Sequence, residues 1–190
     1  MGIETNMDEL TDIDLIARAQ KRNLPALTAI YDRYNQAIYY YALRMLGDPL
    51  QAEDCVAETF SRLLKAFNLG KGPNDNIKAY LYRSAHNWIT DQYRRQPLTL
   101  LELKDDIPEI NQHTPGELAE NNIDRQKIQQ ALGQITREQR EVVTLRFVEG
   151  WEIEEIATCL HKPIGAIKAL QHRAIVGLRQ LLLADQQDEM

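Results

Sequence analysis

Cysteine is scarce in this 190-residue chain. The two present, Cys55 and Cys159, have no CxxC spacing and no histidine cluster beside them. A metal or redox role is therefore unsupported, and both read as small buried side chains in a reduced compartment. Long apolar runs are missing too: nothing approaches the roughly 18 consecutive apolar residues of a membrane span. The start, MGIETNMDELTDIDL, is acidic and has no apolar signal core. A cytoplasmic location without membrane insertion is the expectation. No glycine-rich phosphate loop follows a strand, no HExxH or GxSxG occurs, and the four histidines are scattered. Those absences argue against an enzyme and leave no cofactor site to expect. Period-two alternation is also lacking, which points to an all-α fold.

What is present begins with a conflict of charge. The net charge of −6 would repel nucleic acid. Its distribution matters more than its sum. Residues 1–97 carry 12 Lys+Arg against 12 Asp+Glu, residues 98–125 carry 2 against 7, and residues 126–190 carry 8 against 9. The excess sits in the middle segment, LTLLELKDDIPEINQHTPGELAENNIDR, which has Pro108, Pro115 and Gly116 and no sustained period. It reads as an acidic linker, 98–125, between two small helical domains, 1–97 and 126–190. The cluster Leu98, Leu100, Leu101, Leu103 and Ile107 suits docking on a domain or partner, and equally suits covering the end of the preceding helix.

Upstream of the linker, apolar residues recur at helical spacing over Leu10 to Lys21, Leu24 to Tyr41, Gln51 to Phe67 and Ile77 to Gln96. In the second stretch Leu27, Ile30, Tyr31, Tyr34, Ile38 and Tyr41 form the expected apolar stripe, and Pro25 follows Asn23 as a first-turn residue. Four helices joined by short breaks describe a helical bundle. On the fourth, Leu81, Tyr82, Ala85, Trp88 and Ile89 share one arc, and Tyr80, Arg83, His86, Asn87, Thr90 and Arg94 the opposite one. Arginine, asparagine and an aromatic on one exposed face suit an unpaired nucleic-acid strand. On this helix alone, a merely solvated face with a tyrosine at its edge is the favoured reading.

Downstream, Thr136 is placed to cap a helix over Arg137 to Val148, with Gln139 completing a capping box. Glu152 to Leu160, a turn at His161 to Gly165 and a helix from Ala166 to Leu183 have the spacing of a helix-turn-helix. Ile156, Ala157, Leu160, Ile167 and Leu170 occupy the interior positions. His161 stands where such turns usually carry glycine, and histidine enters the left-handed region more readily than most residues. This half alone would also suit a repressor or activator with an N-terminal sensing bundle.

Three blocks in order narrow the reading. LIARAQKRNLPALTAIYDRYNQAIYYYALRMLGDPLQAEDCVAETFSRLLKAF, IKAYLYRSAHNWITDQYRR and LGQITREQREVVTLRFVEGWEIEEIATCLHKPIGAIKALQHRA together resemble an extracytoplasmic-function (ECF) sigma factor of bacterial RNA polymerase. The likeness spans about 150 of the 190 residues. It implies a sigma factor that binds core polymerase through the β′ clamp helices and the β subunit, directs it to promoters and promotes melting. It also implies control by an anti-sigma factor. Residues 1–97 would hold polymerase and the minus-ten element, and residues 126–190 the minus-thirty-five element.

By the same resemblance, Asp48, Glu53, Asp54, Glu58 and Phe60 belong to the polymerase-binding surface, with Ala57 where the family usually has glutamine. NLGKGPNDN and the fourth helix correspond to the parts that hold the opened non-template strand, in the family with a base flipped from the stack. The residues so implicated are Lys71, Asn74, Asn76, Lys78, Tyr80, Arg83, His86, Asn87, Arg94 and Arg95. The last helix corresponds to the reader of duplex promoter DNA, through Ala166, Lys168, Ala169, Gln171, His172 and Arg173. Many relatives are more polar at Ala166, Ala169 and Leu170, so base selection here rests on few hydrogen bonds. The acidic linker would thread toward the RNA exit path. Core polymerase would supply much of the affinity, which reconciles a DNA-dependent role with the negative charge.

Overall fold

The computed structural model describes residues 10–95 and 130–188, and among them there are helices and no strand. The expected linker, residues 98–125, lies outside the described residues. The chain divides into two compact units, Met1–Pro97 and Leu98–Met190.

In the first unit, α1 (Asp12–Ala19) starts at Thr11 in a capping box with Asp14 and buries Leu15, Ile16 and Ala19. It closes with Arg22 in the left-handed region (φ 60°), which brings Asn23 round to cap α2 (Leu24–Leu46). Arg33 and Tyr34 of α2 both bond the Asp12 carboxylate, and Arg33 also reaches the Leu10 carbonyl at 2.9 Å. These contacts pin α1 to α2 at the end away from its C-terminus. Helix α2 continues five residues past Tyr41, because Ala42, Leu43, Met45 and Leu46 keep its buried stripe going until Gly47 (φ 68°) stops it. Tyr31 departs from the expected stripe. It is 46% exposed, at the rim, with its ring edge-on to Phe60 at 4.9 Å.

Helices α3 (Pro49–Asn68) and α4 (Ile77–Arg95) complete the bundle. The fully buried rings of Tyr41 and Tyr82, 5.2 Å apart, join α2 to α4, and the Tyr93 hydroxyl donates to the Met45 carbonyl. Ser84 joins the buried stripe of α4, whereas Trp88 is only half-buried. Cys55 is buried within α3, and burial pushes its thiol up to about 12, so it stays protonated and inert.

In the second unit, residues 130–134 are helical and α5 (Arg137–Val143) follows, with Thr136 and Gln139 forming the expected capping box. The stretch beyond Val143 is not regular α-helix: Thr144–Val148 is a π turn, closed by Glu149 N–H on the Thr144 carbonyl at 3.1 Å. Helix α6 (Ile153–Leu160) ends at His161, which takes the left-handed conformation (φ 53°) expected of it. Helix α7 (Ile164–Asp188) begins two residues earlier than its apolar period suggests. Pro163 is the cause: its carbonyl accepts from the Ala166 and Ile167 N–H groups. Ile156, Ala157, Leu160, Ile167 and Leu170 are all buried, as the helix-turn-helix spacing requires.

Candidate nucleic-acid and polymerase interface

The polar edge of the first unit is built by the loop between α3 and α4. Helix α3 ends in a Schellman motif: Lys71 N–H reaches the Ala66 carbonyl at 2.9 Å and Gly70 N–H the Phe67 carbonyl at 3.1 Å, with Gly70 at φ 67°. Gly72 then sits against the Phe67 ring, where a Cβ would come within 2.4 and 2.7 Å of ring carbons. Only glycine permits this approach. Asn76 closes the loop as the N-cap of α4, its Oδ1 accepting from the Ala79 N–H at 2.8 Å. The loop is also tied to α1: the Gln20 side-chain amide donates to the Pro73 carbonyl at 3.3 Å and to Asn74 Oδ1 at 3.1 Å.

Lys71, Asn74, Asn76, Asn87, Arg94 and Arg95 are exposed on this loop and on α4, and Tyr80, Arg83 and His86 are half-buried beside them. Burial raises the Tyr80 phenol, so it is a neutral ring and donor. Arg94 lies 3.8 Å from Asp91, an exposed pair of little strength. Lys78 is set apart. At about 100° per residue it lies about 180° round α4 from Asn87, and its ammonium sits 6.0 Å from the Tyr82 ring centroid.

On the α2–α3 side the residues of the acidic group divide. Glu53 and Asp54 are exposed. Asp48 is the N-cap of α3: its Oδ1 accepts from the Leu50 and Gln51 N–H groups at 2.9 and 3.2 Å, and its Oδ2 from the Gln51 side chain at 3.2 Å. Glu58 bonds Arg62 at 2.8 Å, which holds its carboxyl below the ordinary range. Phe60 is only 8% exposed, edge-on to Tyr31. A cleft of about 380 Å³ opens here, lined by Tyr31, Asn35, Gln36, Tyr39, Tyr40, Glu53, Val56 and Ala57. Reading the sequence missed the α2 wall. The signal is available, since Tyr31, Asn35 and Tyr39 recur every four residues on one helix face, but the apolar period alone places Tyr31 in the core. Burial, and then Glu53, raise the Tyr39 phenol, so the cleft presents a neutral Tyr39 hydroxyl beside a carboxylate.

In the second unit, Lys168, Ala169, His172 and Arg173 are exposed on α7, and Ala166 and Gln171 are half-buried. Lys168, His172 and Arg179 fall within about 40° on the helix wheel, whereas Ala166 and Arg173 lie on the flank. Leu170, 7% exposed, is core. Lys162 in the turn bonds Glu138 of α5 at 2.7 Å, which keeps the Glu138 carboxyl below its ordinary value and braces the turn. Among the described residues no cluster of His, Cys, Asp and Glu could hold a metal ion, and no helix is long and apolar enough to cross a membrane.

Residues 30–98 match the family model described as Sigma-70 region 2, and residues 131–180 match Sigma-70, region 4. The ECF RNA polymerase sigma factor SigL of Mycobacterium tuberculosis is 34% identical over 160 residues, covering 82% of this chain and 88% of the relative. The chain is an ECF RNA polymerase sigma factor. It is thus a transcription initiation factor rather than an enzyme, and its second unit carries a DNA-binding helix-turn-helix. The fold of this sigma factor is shared with two solved structures, each 23% identical in sequence. CnrH in complex with the cytosolic domain of CnrY has a TM-score of 0.69, covering 92% of this chain and 98% of that one. The sigma factor RpoE with the anti-sigma factor NepR from Bartonella quintana has a TM-score of 0.62, covering 88% and 99%. Region 2 of the sigma factor begins inside α2, so α1 and Gln20 stand outside the matched region.

Proposed function

We propose that the first unit of this sigma factor grips core polymerase through the α2–α3 cleft and holds opened promoter DNA on the α3–α4 loop and the polar face of α4. One observation carries the reading: a single compact bundle bears both surfaces, an aromatic cleft flanked by Glu53 and Asp54, and an edge displaying Lys71, Asn74, Asn76, Asn87, Arg94 and Arg95. Exposed carboxylates complement a basic partner helix. In this reading Asp48, Glu58 and Phe60 shape the polymerase surface from within, through the α3 cap, the Arg62 pair and the packing on Tyr31. Ala57, at the cleft, leaves room where relatives carry glutamine.

The amides of Asn74, Asn76 and Asn87 meet base edges, Tyr80 offers a stacking ring, and Lys71, Arg83, Arg94 and Arg95 hold phosphates. His86 adds a donor at the flank, and Lys78 contributes charge from the far side of α4. Through Lys168, Gln171, His172 and Arg173, with Ala169 against a thymine methyl and Ala166 at the flank, α7 docks on the duplex upstream element. The acidic segment 98–125 joins the two readers and suppresses stray DNA binding by the free protein. An anti-sigma factor, as in the RpoE–NepR complex, would occlude these surfaces in the cytoplasm.

Reconstitution with bacterial core RNA polymerase and a promoter library tests the reading. Core-dependent, promoter-specific initiation is expected, with weak DNA binding by the free chain. A folded protein that binds duplex tightly alone and supports no initiation would instead be a repressor-like regulator.

A further inference from the structure

The α3–α4 loop is not held by its own turns alone. Its middle, Pro73 and Asn74, is tied to a helix more than 50 residues earlier in the chain through both N–H groups of one side chain, Gln20. That side chain stands on a fixed post. Leu15, Ile16 and Ala19 bury α1 against the bundle, Asp12 bonds Arg33 and Tyr34, and the α1 C-terminus is closed by backbone bonds from Gln20, Lys21, Arg22 and Asn23. The other anchors of the loop grip its ends: Gly70 at the exit from α3, Gly72 on the Phe67 ring, and Asn76 at the start of α4. Between Gly72 and Asn76, Gln20 supplies the restraint.

We infer that Gln20 is a positioning residue for promoter opening: it pre-organises the Pro73–Asn74 segment so that the loop accepts an unpaired base without first being ordered. This rests on the proposed DNA role of the loop. A loop ordered before binding avoids the entropy cost of ordering on contact. The bond also assigns the Asn74 carboxamide a direction. Its oxygen is taken by Gln20, and its NH2 group remains to donate to an acceptor atom on the base. Gln20 therefore affects selectivity as well as affinity, although it lies outside the residues matched to Sigma-70 region 2.

Gln20→Ala isolates the effect, because Gln20 is exposed and its cap bonds are made by its backbone N–H. Holoenzyme is reconstituted with core polymerase, and its affinity is measured for pre-opened promoter DNA carrying each of the four bases at each minus-ten position. Gln20→Ala should weaken binding about fivefold, on the order of one lost hydrogen bond, and flatten the preference at one position. Core affinity and thermal stability should stay unchanged. Gln20→Glu, which keeps the length but cannot donate, should match or exceed this loss. Asn74→Ala and Asn87→Ala serve as controls for the surface itself. If they weaken binding while Gln20→Ala leaves affinity and base preference intact, the inference about Gln20 is overturned and the DNA surface stands. If none of the three has an effect, the DNA surface is misplaced and the role of Gln20 falls with it.

Discussion

The two proposed DNA-facing surfaces are built on opposite plans. The α3–α4 edge is a short loop restrained at four points, by Gly70, Gly72, Gln20 and Asn76, and its amides are aimed by hydrogen bonds within the protein. The face of α7 is a plain helix surface with Lys168 and His172 exposed among Ala169 and Ile175. A helix delivers side chains to a groove through its own rigidity and needs no local support. A loop that is to hold a single unpaired base binds it more tightly when it is ordered beforehand. The difference teaches where selectivity should be sought: in the pre-organised loop, with α7 as a docking element of modest preference.

The largest expected effect tests whether Leu170 is a lost DNA contact or a core residue. Leu170→Ala should destabilise the second unit by about 2–5 kcal/mol, read by chemical denaturation, and Ala169→Ser on the exposed side should leave stability unchanged. Equal, small effects from both would return Leu170 to the surface. Next, Asn87→Ala should weaken open-complex formation by about 1–3 kcal/mol, with polymerase binding preserved. Parallel loss of both would place Asn87 on the polymerase side.

Asn76 combines a cap with a proposed base contact, and substitutions separate the two. Asn76→Ala should cost about 1 kcal/mol of stability, whereas Asn76→Ser keeps an acceptor for the Ala79 N–H and should recover most of it. Binding to pre-opened DNA should fall in both variants, and its recovery in Asn76→Ser would reduce Asn76 to a cap. For α7, Lys168→Ala with His172→Ala should lower use of the upstream element and flatten the salt dependence of promoter binding. An unchanged promoter preference would mean that these side chains do not read it.

The smallest effect concerns the brace of the helix-turn-helix. The Glu138 carboxyl is lowered chiefly by its hydrogen bond to Lys162. Its stabilisation is therefore complete above the ordinary glutamate value of 4.5 and lost as pH falls through the lowered folded value. Glu138→Gln should cost about 0.2–1 kcal/mol near neutral pH and remove that acid-range slope from the stability of the unit, measured by thermal melts across pH.

Much was legible from residue order because its causes are local. The helix start at Asn23 and Pro25, the cap at Thr136 and the left-handed His161 follow from backbone chemistry within a few residues. The buried stripe through Ile156, Leu160, Ile167 and Leu170 follows from helical period. The exposed asparagines of the loop were visible as residue types, and the three blocks in order carried the family. Tertiary packing decided the rest. It moved Tyr31 out of the core and into the wall of a cleft, where its ring meets Phe60 of the neighbouring helix. It set Asp48 and Asn76 to work as caps in addition to any outward role. It also joined Gln20 to Asn74 across 54 positions of sequence, a contact no periodicity can announce, because it depends on how α1 lies against the bundle. Period and capping name a segment's neighbours along its own helix. Only the packed fold decides which distant amide reaches across to hold a loop.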